Sequence, residues 1–115
     1  MSKIKKRMPR PKSVSYDESF LNALRDPIEA AAYLNAELQS GEIKYFLRAL
    51  RLVAEAQGGV KKASELAKIN RTSFYRMVSG QGNPTISNIN AILKSANLKL
   101  AVIANFANKK IPLHY

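Results

Sequence analysis

The run Asn70-Arg71-Thr72-Ser73-Phe74-Tyr75-Arg76-Met77-Val78-Ser79 combines two guanidinium groups, three small hydroxyls, a phenol and an amide within ten residues. At helical spacing Phe74 and Met77 fall on one side, at i and i+3, and can anchor the segment to a core. The other side then presents Arg71, Thr72, Ser73, Tyr75, Arg76 and Ser79. Those groups suit a polyanion with readable edges. Arg71 and Arg76 can bond guanine through both nitrogens or bridge phosphates. Thr72 and Ser73 can bond phosphates or bases, and the Thr72 methyl can touch a thymine methyl. The Tyr75 hydroxyl can reach a phosphate oxygen. Asn70 can cap the helix and leave its first N–H groups beside phosphates. The bland alternative is the solvated polar face that any surface helix has.

Other chemistries find little support. Covalent and acid–base catalysis use a nucleophile with a base, a carboxylate pair or a metal cluster. The chain has no cysteine, and its one histidine, His114, is the penultimate residue. Its acids are scattered: Asp26 and Glu29 sit where a helix starts, and Glu37 and Glu55 fall on solvated faces. No enzyme activity, metal or cofactor is expected. The lack of cysteine also rules out disulfides and suits a cytoplasmic protein.

The charge balance points the same way as the motif. Nineteen basic and eight acidic residues give a net charge of +11, which favours nucleic acid as a partner. Most of the excess lies at the ends. Residues 1–12 hold Lys3, Lys5, Lys6, Arg7, Arg10 and Lys12 with no acid, and Lys109 and Lys110 add two more; the rest of the chain nets +3. The N-terminal run reads as a solubilising tail, a nucleic-acid-contacting arm or a contact for a protein partner. At 115 residues with 46% apolar content, the chain can build one domain with a real core. No window reaches the roughly 18 apolar residues of a membrane span. No apolar stretch follows the charged start, so neither a secretory signal nor a membrane partner is expected.

The elements that must position the motif follow from periodicity and caps. Residues 1–15 form a basic irregular tail. Residues 16–25 carry Tyr16, Phe20, Leu21 and Leu24, enough to pin a segment to the core without naming its structure. Asp26 can cap a helix with Pro27 at its first position and Glu29 at capping-box spacing; Gly41 ends it. In the next, amphipathic helix Ile43, Phe46, Leu47, Leu50, Val53, Ala54 and Gln57 follow i, i+3, i+4 spacing opposite Lys44, Arg48, Arg51 and Glu55, and Gly58 and Gly59 close it. A short helix fits Val60–Ala67. A three-residue turn leads to the Arg71 helix, closed by Gly80. Thr85 can cap a last helix whose Ile86, Ile89, Ile92 and Leu93 face inward, ended by Asn97. Phe20, Tyr33, Tyr45 and Phe106 are expected in the core. Leu98–Ala104 reads as a strand, although the sequence shows no second convincing strand to pair with it.

Two short helices joined by a three-residue turn, the second polar at its start, describe a helix-turn-helix over about residues 60–79. Ala63, Ser64 and Ala67 supply the small residues of a close crossing, and Ile69 can anchor the turn. The elements therefore read as all-α: five helices in one domain over residues 16–104 with a short C-terminal β-strand, then a C-terminal tail over 105–115. One such motif reads few bases, so a homodimer is expected. The unpaired strand, hazardous as a free edge, can pair across the two-fold axis or with the N-terminal segment of its own chain.

The blocks "DPIEAAAYLNAEL", "SFYRMVSGQGNPT" and "LKLAV", in that order and spacing within residues 22–103, resemble the addiction-module antidote proteins, HigA-like antitoxins of the Xre helix-turn-helix type. That resemblance implies an all-α, five-helix repressor-like fold, and a dimer that binds the double-stranded DNA operator of its own operon and neutralises a RelE/ParE-like toxin. It places base contacts on Arg71, Thr72 and Arg76, with Ser73, Tyr75 and Ser79 nearby. Lys68 stands where the family turn usually holds glycine, so an altered or strained turn is expected there. Two other readings share these residues: a stand-alone transcriptional regulator without a toxin, and an RNA-binding or protein-interaction module.

Overall fold

The computed structural model describes residues 18–80 and 82–105. The tail 1–15, Tyr16, and residues 106–115 with Phe106, Lys109, Lys110 and His114 lie outside the described residues. Six helices follow one another: α1 (Glu18–Ala23), α2 (Pro27–Gln39), α3 (Ile43–Ala56), α4 (Val60–Ala67), α5 (Arg71–Val78) and α6 (Ile86–Ser95). The all-α class holds, with one helix more than the five expected. The extra one is α1, whose six residues are too few to show a period in the sequence. Phe20 fixes it by meeting the Tyr33 ring edge-on at 5.3 Å, and Leu24 behind it is buried.

Asp26 caps α2 as expected: its carboxylate accepts the Ile28 N–H at 2.9 Å, with Pro27 at the first helical position. The reciprocal Glu29 bond of a capping box does not form. The Asp26 N–H already donates to the Ala23 carbonyl at 3.1 Å, because α1 runs directly into α2.

Helix α3 is the central pillar, packed against α1, α2, α4 and α5. Phe46, Leu47, Leu50, Val53 and Ala54 are buried as their spacing predicts. Its end is tied back to α1: the Gln57 amide donates to the Leu24 carbonyl at 3.0 Å, which gives that carbonyl the partner it needs. Two isoleucines depart from expectation. Ile43 is 55% exposed and Ile86 is 73% exposed. Each is the first residue of its helix. Side chains lean toward the helix N-terminus, so these two project past the end of the core instead of onto it. Tyr45 is also outside the core, on the flank of the α3 stripe.

Helix α6 opens on the Thr85 hydroxyl, which accepts the Asn88 N–H at 3.1 Å, and buries Ile92 and Leu93. It closes on Asn97 in the left-handed conformation (φ 65°), with the Leu98 N–H returning to the Leu93 carbonyl and the Asn97 N–H to that of Lys94. The strand expected over Leu98–Ala104 is absent: no strand occurs among the described residues. A strand's N–H and C=O groups need a ladder partner, and the described residues offer none. Leu98 still packs on the core, while Val102 is fully exposed and Ile103 83% exposed.

Candidate nucleic-acid interface

Helices α4 and α5 have eight residues each and are joined by Lys68-Ile69-Asn70. Ala63 and Ser64 are buried where α4 meets its neighbours, and Ala67 and Ile69 are half-buried against the same core. The buried Ser64 hydroxyl donates to the Lys61 carbonyl at 2.9 Å, so it leaves no orphan group at the crossing.

The turn has the altered conformation expected of it. Lys68 is left-handed, with φ 60° and ψ 43°. Its N–H returns to the Glu65 carbonyl and the Ile69 N–H to the Ser64 carbonyl, a closure that normally employs glycine. A left-handed lysine costs about 1–2 kcal/mol. Lys68→Gly removes that strain but frees the unfolded chain, which returns about 0.4–1 kcal/mol. The expected net result is a stabilisation of about 0.5–1 kcal/mol, read as a melting temperature raised by a few degrees. A lowered melting temperature would show that the lysine stem makes compensating contacts.

Asn70 caps α5: its side-chain oxygen accepts the Thr72 N–H at 2.9 Å and the Ser73 N–H at 3.2 Å. Two of the N–H groups expected to face phosphates are therefore already taken, and what Asn70 keeps for a ligand is its amide NH2. Phe74 and Met77 are buried as expected, and so is Val78, which the i, i+3 spacing of those two does not include. At about 100° per residue these three anchors direct Thr72 and Arg76 straight outward. Arg71 and Tyr75 fall on one flank, Ser73 on the other. Arg71, Thr72, Ser73 and Arg76 are all exposed, and their side chains have no hydrogen-bond partner among the described residues. Tyr75 is half-exposed, with the Arg51 guanidinium 5.4 Å from its ring centroid, so α3 holds it. Ser79 lies past the helix end, and its hydroxyl donates to the Arg76 carbonyl at 2.8 Å.

On the Ser73 side an open cleft of about 390 Å³ runs between α5 and the start of α6. Its walls add Lys68, Asn83, Thr85 and Asn88 to Ser73 and Arg76. The sequence marks Lys68 as a turn residue and Thr85 as a cap but gives neither a place at the site, and Asn83 and Asn88 are signalled only by the density of asparagine in "GNPTISNIN". Gly82 keeps the cleft's floor closed. A Cβ there would stand 2.9 Å from the Arg76 carbonyl oxygen and 3.1 Å from the Met77 Cα, so any side chain would push the loop off α5.

Among the described residues no cluster of His, Cys, Asp or Glu could hold a metal ion, and no helix is long and apolar enough to cross a membrane. A family model described as "Probable addiction module antidote protein" matches residues 15–104. A Haemophilus influenzae protein described only as uncharacterized is 36% identical over 74 residues, which cover 64% of this chain and 75% of that protein. No solved structure matches the chain. The matched stretch takes in all six helices and both faces of the polar helix α5, and the chain belongs to the addiction module antidote family.

Proposed function

We propose that this chain is a cytoplasmic, HigA-like antitoxin of the Xre type, which neutralises a RelE/ParE-like toxin and represses its own operon by binding operator DNA. Family membership supports the antidote half, since an antidote acts on a toxin of some kind. The observation that carries the DNA half is α5 itself. Three buried anchors and an Asn70 cap hold it in place, and its outward face is polar, cationic and free of internal bonds. Such a helix can enter a major groove about 12 Å wide and meet base edges with Thr72 and Arg76.

The test has two arms. A duplex from the chain's own promoter should bind in a salt-dependent way and a scrambled duplex much more weakly. A small protein encoded beside the chain should co-purify with it. Promoter binding without such a partner makes the chain a stand-alone regulator; loss of promoter preference removes the DNA half.

The proposed assembly is a homodimer. One α5 spans few bases, whereas a two-fold pair reads half-sites about one helical turn apart. The run Leu98–Ala104, exposed from Lys99 onward, offers a route. Antiparallel pairing about Ala101 sets Leu100 opposite Val102 and Lys99 opposite Ile103, so no like charges meet. Sedimentation at tens of micromolar should give a dimer, and Val102→Asp with Ile103→Asp should give a monomer. A monomeric parent chain counts against the assembly.

A further inference from the structure

Beside α5 runs a second cationic surface with no assigned task. Lys44, Arg48 and Arg51 stand at i, i+4 and i+7 on the exposed side of α3. Two tyrosines interleave with them. The Lys44 ammonium is 5.4 Å and the Arg48 guanidinium 6.0 Å from the Tyr45 ring centroid, and Arg51 lies over Tyr75 of α5. Arg51 is also bonded to Glu55 at 2.9 Å. Lys44 and Arg48 have no carboxylate partner among the described residues.

The charges of Lys44 and Arg48 gain α3 no ion pair among the described residues. Like charges at i and i+4 repel on a helix. Lys44 sits in the first turn, where the helix dipole disfavours a cation; the turn itself holds no acid, and Glu42 at the N-cap makes no ion pair with it. The tyrosine rings attract the cations and limit their wandering, which favours a ready-made surface over a loosely solvated one. The stripe is also set tightly against α5. A Cβ on Gly80 would lie 3.2 Å from the Lys44 Cβ, and φ 89° at Gly80 is a conformation glycine adopts freely. From Tyr75 to Gly80, then, the end of α5 borders the Arg51-Arg48-Lys44 row.

We infer that Lys44 and Arg48 of α3, with Arg51 held by Tyr75, form a second contact for the DNA backbone, gripping the phosphate strand that flanks the groove occupied by α5. The inference rests on the DNA-binding reading above. A duplex that receives α5 in its major groove carries one phosphate strand along each side of that helix. The α3 stripe meets the strand on the Tyr75 side. Its charge complements the backbone, and its contacts fix register and add affinity without reading sequence.

The test uses the full chain, its own promoter duplex and a scrambled duplex, with binding followed between about 50 and 200 mM salt. Lys44→Ala with Arg48→Ala should lower affinity for both duplexes by the same factor, about tenfold or more. It should also reduce the salt slope by about 1.8, at roughly 0.9 for each phosphate no longer neutralised. Its preference for the promoter should stay intact and its melting temperature should not fall. The charge-keeping pair Lys44→Arg with Arg48→Lys should retain the slope. If the parent chain binds promoter DNA and the double alanine variant keeps its affinity and slope, the inference is overturned and the DNA-binding reading stands. The same holds if that variant keeps its slope and instead loses a co-purifying protein. A parent chain that binds neither duplex removes both.

Discussion

Phe74→Ala should cost about 3–5 kcal/mol of stability, the usual consequence of emptying a fully buried aromatic site. Phe74 has no exposed surface, and neither has Val78 one turn later. The cavity would open between α5 and α3, the helix on which most of the core converges. Domains of this size hold about 5–15 kcal/mol in total, so much of the margin would go. At about 4–8 °C per kcal/mol, the melting temperature should fall by roughly 12 °C or more. Phe74→Leu keeps most of the volume and should cost clearly less. Urea or thermal melting measures both. A melting point within a few degrees of the parent for Phe74→Ala would contradict the burial of α5's inner face.

Arg71→Ala and Arg76→Ala should behave in the opposite way. Both arginines are exposed and bond nothing else among the described residues, so each change should stay within about 0.5 kcal/mol in stability. Their expected effects on operator binding are larger and differ from each other. Arg76 lies in the outward direction set by the three buried anchors. If it reads a guanine, its loss costs about 1–3 kcal/mol of binding and relaxes preference at one position. Arg71 lies on the flank nearer Tyr75 and α3, where a phosphate strand would run. Its loss should weaken binding evenly across sequences and flatten the salt dependence. Melting and operator binding on the same variants separate the two roles. Full operator affinity in the double variant would sink the assignment of α5 as the reading helix.

The helices and their caps were largely legible in the sequence because they depend on neighbours. Asp26, Asn70 and Thr85 each cap the helix that follows, and the stripe from Phe46 to Ala54 is set by a period of about 3.6 residues. What was not legible depends on where an element ends or what lies across from it. Ile43 and Ile86 fit the period but sit at helix starts, beyond the surface the core covers. Tyr45 has the residue type of a core aromatic, but its place on the flank of the α3 stripe turns it outward. Leu98–Ala104 has the composition of a strand, but composition cannot supply the second edge. At the candidate site, the chemistry of α5 could be read directly. Its flanks, Arg51 beneath Tyr75 and Asn83 and Asn88 beside Arg76, come together only once the chain folds.

The division of labour within α5 has a consequence for divergence. The cap and the buried anchors of this helix lie at Asn70, Phe74, Met77 and Val78, while Arg71, Thr72, Ser73 and Arg76 contribute exposed groups on its outward face and flanks. Stability and address are thus written on separate letters of the same short word. On the proposed DNA-binding reading, duplicated copies of such a chain can exchange these four and acquire a new operator without crossing an unfolded intermediate. Related modules sharing one cell can in this way drift out of cross-talk while keeping a common scaffold.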